Sequence, residues 1–303
     1  MTPPGGPHGA TRLGFGASGA WAARWFPEEQ AYAVLRAGVL AGVRDVDTGP
    51  SYARGHAEAR LGRLLRRLEG EGHARPRVST KVGTRPGPGG RPVKAFGADA
   101  IRRQLEASLS ALGLPALDVL YLHGPGERQL ASSLPVLAEL KGAGLVGAVG
   151  VCTDGRHVGV AAEAAGVDWV MAPYNLLAPA NAQALRAARA AGMRVCTVAP
   201  LAQALWRRDV LLPRSLPGAW YAARALVRSR DRLRAARRAR WLREVPGWSP
   251  AELSVAFVRE ALGPDLVLTT STNPAHVEEV ARALARPVPD DLRDRLRGPT
   301  LSA

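Results

Sequence analysis

Lysine is nearly missing from this chain. It occurs three times, at Lys81, Lys94 and Lys141, among 41 basic residues in 303. Cysteine is scarcer still, with Cys152 and Cys196 in separate apolar runs. Two isolated cysteines exclude a disulfide-stapled scaffold and a cysteine-ligated zinc site, so a thiol-reduced protein without a metal centre is expected. No apolar run approaches the ~20 residues that cross a bilayer. The opening MTPPGGPHGA has neither the basic nor the apolar segment of an export signal, so a cytoplasmic protein is expected. The formal net charge is +15 and aromatics make up 5% of the chain. No module combining aromatic and basic residues accompanies that charge, which argues against nucleic acid as a partner.

The charge is concentrated. Arg207 to Arg243 holds twelve arginines against Asp209 and Asp231. Elsewhere the chain alternates short apolar runs with longer segments of helical period. Strands are predicted at 11–16, 43–47, 77–81, 117–122, 146–151, 167–171, 193–198 and 265–269, and helices at 28–41, 57–68, 98–112, 131–143, 155–165, 179–191, 250–262 and 274–285. Ser249-Pro250-Ala251-Glu252 reads as a capping box with proline at the first helical position. Gly42, Gly113, Gly166 and Gly192 follow helices, where glycine ends them. Eight strands strictly alternating with eight helices predict an α/β fold, a (β/α)8 or TIM barrel formed by residues 1–303 as one domain. The Arg-rich stretch, about 206–248, is then a helical insertion after the seventh strand. GFGASG (14–19) matches a dinucleotide-binding glycine pattern, but the acidic residue that should follow about 20 positions on is absent, so the doubly wound alternative is set aside.

In such a barrel, chemistry gathers where the strands end. The second strand ends at Asp47 with Tyr52 beyond it, the third at Lys81, and the fourth just before His123. These four make coherent chemistry. A nearby ammonium is expected to lower the tyrosine pKa from its free value of about 10, an aspartate holds the lysine, and a neutral histidine donates to a carbonyl oxygen. Together they form a general acid and an electrophilic pocket.

The segment RDVDTGPSYARGHAEARLG, the strand VSTKVG and the strand LDVLYLHGPG, followed in order by VGAVGVCT, MAPYNLL, VCTVAPLAQ and TTSTNPAHVEEV, resemble the aldo-keto reductases over about residues 11–285. The resemblance implies the tetrad Asp47, Tyr52, Lys81 and His123, and NAD(P)H-dependent reduction of an aldehyde or ketone without a metal. It implies cofactor contacts at Cys152, Thr153, Met171, Ala199, Leu201, Gln203, Thr270, Ser271, Thr272, Asn273 and His276. Several depart from the family's pattern. Cys152-Thr153 stand for Ser-Asn and Met171 for Gln at the nicotinamide carboxamide, Ala199 for a serine at the pyrophosphate, and Val280 for an adenine-contacting asparagine. Thr270 to Asn273 offer hydroxyls and a helix start free of acid, so NADP is expected over NAD. The expected partner is a small carbonyl substrate, and the basic insertion suits an anionic or carrier-bound one. Two other readings stay open: imine or enone reduction or redox-neutral chemistry by the same tetrad, and a non-catalytic binding subunit like the family's potassium-channel β-subunits.

Overall fold

The computed structural model describes residues 9–201 and 239–297, with positions 219 and 223 between them. Eight parallel strands close on themselves. Their order around the ring is β1 (Arg12–Gly16), β2 (Asp45–Asp47), β3 (Arg77–Val82), β6 (Leu117–His123), β7 (Val146–Cys152), β8 (Trp169–Pro173), β9 (Arg194–Val198) and β10 (Leu266–Thr269), which pairs back onto β1. Two short strands, β4 (Thr84–Pro86) and β5 (Pro92–Lys94), form an antiparallel ribbon outside the ring. The main helices are α1 (Gly19–Ala22), α2 (Glu28–Leu40), α3 (Ala57–Gly70), α4 (Ala98–Leu112), α5 (Glu127–Gly142), α6 (His157–Ala162), α7 (Ala182–Ala190), α8 (Pro250–Leu262) and α9 (Pro274–Ala285), and a further helix covers Asp290–Arg297.

The two-residue period of a strand splits each one between two cores. Outward residues such as Phe15, Val46, Leu120, Val149, Val170 and Val267 join the helices in one large cluster. Inward residues Tyr121, Trp169, Met171, Cys196, Leu266 and Leu268 form a separate plug inside the barrel. Below the plug, Arg12 and Arg77 both pair with Asp45. The barrel is therefore packed from its floor, and polar chemistry is left to the opposite rim, where the strands end.

The eight-strand ring agrees with the sequence reading, and Gly42, Gly113, Gly166 and Gly192 all have positive φ. Ser249 Oγ accepts from the Glu252 amide at 3.1 Å while Glu252 accepts from the Ser249 amide at 2.7 Å, completing the expected capping box. The fifth helix begins four residues earlier than predicted, because Gln129 bonds back to the Gly126 amide at 2.9 Å and closes a turn there. The ribbon, α1 and the helix Asp290–Arg297 were not anticipated. Most of the Arg-rich stretch lies outside the described residues. Its end is a short 3-10 segment, Ala239–Arg243, with Leu242 buried and Trp248 covered by the Arg286 guanidinium at 3.8 Å.

Candidate active site

Asp47 points inward from the end of β2. On the neighbouring strand β3, Ser79 and Lys81 share the inward face because they are two residues apart. Lys81 is fully buried and forms an ion pair with Asp47 Oδ2. Its ammonium also donates to the Thr48 carbonyl at 2.7 Å, while Asp47 Oδ1 accepts from Ser79 Oγ at 2.9 Å. The pair is thus fixed on both sides. Guanidinium could not replace this compact charge in a closed space.

Tyr52 opens a short 3-10 turn, Tyr52–Gly55, after β2. Ala53 and Arg54, directly behind it, have φ of 50° and 58°. Non-glycine residues in this left-handed region carry strain, which collects where a side chain must be aimed. The Lys81 ammonium lies 4.8 Å from the centre of the Tyr52 ring. The His123 ring meets Tyr52 edge-on, with centres 5.9 Å apart and planes at 89°. All four residues singled out in the sequence therefore gather at one rim.

The electrostatics differ from expectation in one respect. Burial raises the Tyr52 phenol to about 12; Lys81 opposes that shift, and Asp47 and Cys152 add to it. The ammonium was expected to lower the phenol below its free value, and burial outweighs it. Burial by itself would lower the Lys81 ammonium, but Asp47, Tyr52 and Cys152 hold it above its ordinary value. His123 is pushed down to about 3 by burial, then by Lys81 and Lys94. Burial lifts the Cys152 thiol to about 11. At neutral pH the rim holds a protonated phenol, a charged lysine, a neutral imidazole and a thiol.

The proposed cofactor positions fall into two groups. Thr270 Oγ1 donates to the Gly16 carbonyl at 2.8 Å and lies 3.3 Å from Ser18 Oγ. Ser271 Oγ accepts from the Asn273 amide at 3.0 Å, and Asn273 caps α9 through the Ala275 amide at 3.1 Å. Thr272 is half-buried beside them and His276 is exposed. No acid stands in the first turn of α9, so its free amides suit the phosphates of a dinucleotide. The other group fits less well. Cys152 and Thr153 lie at the rim next to His123, and Met171, paired in register with Cys152, is buried at 1% exposure in the inward cluster. Its side chain supplies only a weak sulfur acceptor where the family has a glutamine amide. Val280 is buried at 1% and faces the core. Ala199 takes a φ of 56°, its carbonyl held by Asn175 Nδ2 at 3.0 Å. Leu201 packs against the outer core, and Gln203 lies outside the described residues. Among the described residues, no three His, Cys, Asp or Glu side chains could hold a metal ion.

The sequence reading missed Ser79, the Thr48 carbonyl, Thr84 and Lys94. Two-residue periodicity back from Lys81 points to Ser79. The rarity of lysine marks Lys94, whose ammonium donates to the carbonyls of His123 and Gly124, both at 2.9 Å.

The chain matches the Aldo/keto reductase family over residues 12–298. It is 34% identical over 167 residues to a D-threo-aldose 1-dehydrogenase of a Pseudomonas species, a match covering 46% of this chain and 49% of that protein. It is 30% identical over 179 residues to an NADH-specific methylglyoxal reductase of Escherichia coli K12, covering 54% of each. The matched regions thus span about half the length of these relatives. A glycerol dehydrogenase structure from Gluconobacter oxydans superposes with a TM-score of 0.77 at 22% identity, over 97% of this chain and 92% of that one, which establishes the shared barrel. Among the described residues, no helix is long and apolar enough to cross a membrane.

Proposed function

Since the chain belongs to the aldo/keto reductase family, we propose that it reduces an aldehyde or ketone to the alcohol, with Tyr52 as proton donor and NADPH preferred to NADH. The observation that carries this reading is the buried Lys81–Asp47 pair set beneath the Tyr52 ring, with His123 edge-on beside it. A reduced nicotinamide, when bound, supplies the hydride to the carbonyl carbon. The chain does the rest. His123, neutral, donates an N–H to the carbonyl oxygen and draws electron density from the carbon. Tyr52 gives its phenolic proton to that oxygen as negative charge develops there. The phenolate left behind is stabilised by the Lys81 ammonium, which Asp47 keeps charged and in place. Lys81 therefore acts on the product side of the proton transfer, and a raised resting phenol pKa does not contradict the role.

Thr270 to Asn273 and the start of α9 would hold the phosphates, and the absence of acid there supports a 2′-phosphorylated cofactor. Cys152 and Thr153 would meet the nicotinamide. The test is loss of NADPH absorbance over a panel of aldehydes and ketones, run beside NADH. Tyr52→Phe should lower kcat by about 10²–10⁴-fold while still binding cofactor. A variant that keeps a tenth of the wild-type rate would remove Tyr52 from the role.

A second reading rests on Met171, which stands where the family has a glutamine and would give the carboxamide only a thioether sulfur. The same tetrad would then act on an imine or enone, or without net redox change. Product formed with no matching loss of NADPH would decide for the redox-neutral form.

A further inference from the structure

The ribbon that follows β3 is more than a surface flourish. Thr84 and Lys94 are cross-strand partners in it, and both side chains converge on one atom. Thr84 Oγ1 donates to the His123 carbonyl at 2.8 Å, and the Lys94 ammonium donates to the same oxygen at 2.9 Å. Lys94 also takes the Gly124 carbonyl at 2.9 Å. Gly124 has a φ of 63°, and a Cβ there would stand 2.8 Å from the Lys94 nitrogen, so the residue after His123 has no side chain to displace the ammonium.

The ribbon's root is fastened too. Gly83, between Lys81 and Thr84, receives the Ala95 amide at 3.0 Å, and its own amide goes to Gln104 of α4 at 3.0 Å. Its far end meets the turn that carries Tyr52. A Cβ on Gly90 would lie 2.6 Å from the Arg54 side chain, and one on Gly55 would touch Pro86 at 3.4 Å. One small element therefore continues the strand of Lys81, packs on the turn of Tyr52 and grips the backbone of His123. A mere cover would have no use for an ammonium turned onto two backbone carbonyls.

We infer that the β4–β5 ribbon is a clamp that sets the catalytic geometry, with Lys94 as a positioning residue acting through His123. This rests on the part assigned to His123 in carbonyl reduction. Tyr52 from the turn meets its ring edge-on, Lys81 from β3 and Cys152 from β7 lie nearby, and Lys94 from the ribbon sits at its carbonyl. Two of these are cations, and both oppose an imidazolium. Lys94 holds the histidine's carbonyl, and its charge adds to burial and Lys81 in disfavouring the imidazolium.

The test is Lys94→Met in the full-length enzyme. We expect kcat to fall by about 10–100-fold, the scale on which misplaced catalytic groups act, with cofactor Kd changed by less than about twofold, since the effect lies in the geometry of the catalytic groups rather than in cofactor contacts. NMR of ¹⁵N-histidine-labelled protein without substrate should show the His123 titration, about 3 in the native protein, moving up; His123→Asn assigns the signal among six histidines. Lys94→Arg, which keeps the charge, should restore most of the titration. If Lys94→Met does not fold, Thr84→Val removes one donor and little bulk, and it should lower kcat in the same direction. The inference is overturned by a Lys94→Met enzyme with native kcat, or by one whose kcat falls while His123 titrates as before. Because the titration needs no turnover, it reads the clamp even if no carbonyl substrate is reduced.

Discussion

Tyr52 holds its proton more tightly than a free phenol, and His123 holds one far less readily than a free imidazole. Both shifts have burial as their first cause. Tyr52 stays protonated below about 12 and His123 stays neutral above about 3, so neither changes state in the range of roughly pH 5–9 where such enzymes are assayed. The reductive kcat is therefore expected to be level across that window, measured at saturating cofactor and substrate. A limb centred near the ordinary histidine value of about 6.5 would show that His123 titrates and would overturn its assignment as a neutral donor. The same group affects stability. Unfolded, His123 takes a proton near pH 6.5; folded, it does so only near 3. Its contribution to stability is whole above pH 6.5 and drains away as pH falls towards 3.

At the scale of elements, the helix after the tyrosine turn is held by two close contacts. Glu58 of α3 is buried and accepts from Thr80 Oγ1 at 2.5 Å, tying the helix to the strand that carries Lys81. Gly62, one turn on, lies against α4, where an added Cβ would stand 2.6 Å from the Ala111 carbonyl oxygen and 2.7 Å from that of Leu112. Backbone cannot yield as a side-chain tip can, so α3 would have to move. Gly62→Ala is expected to cost about 1–3 kcal/mol, as overpacking does, despite alanine's better helix propensity. Thermal or denaturant unfolding checks it, and an unchanged or raised Tm would mean the helices part freely. These long elements were legible because apolar period and caps repeat over ten or more residues. The ribbon was not. Thr84 to Lys94 is rich in proline and glycine and reads as a loop, and three-residue strands are too short to show a period. The tetrad could be read from residue type at strand ends. The burial of Met171 in the plug could not, because all its plug neighbours except Trp169 come from other strands.

At the scale of the molecule, the net charge of +15 is much of what a distant substrate senses. A field of one sign raises the local concentration of anions and is screened by salt. For a carboxylated or phosphorylated carbonyl substrate, KM is expected to rise severalfold between about 0.02 and 0.3 M salt, across which the Debye length falls steeply. Charge reversal of Arg234, Arg237 and Arg238, in the stretch outside the described residues, should flatten that dependence. A KM indifferent to salt, set beside an uncharged substrate as control, would leave the arginine cluster without a part in recruitment.

The three lysines carry a practical consequence for anyone who handles this protein. Lys81 is sealed on Asp47, Lys141 is paired with Asp168 at 2.6 Å, and Lys94 is exposed but turned onto two carbonyls. Reagents that acylate amines, whether for fluorescent labelling, cross-linking or immobilisation on a resin, thus find few open handles on a surface whose positive charge is otherwise almost all guanidinium. Burial also holds the Lys94 ammonium below its ordinary pKa, which leaves more of it as the nucleophilic amine. The ε-amine easiest to couple is then the one that grips His123, and a preparation tethered through it would lose the geometry it was meant to display.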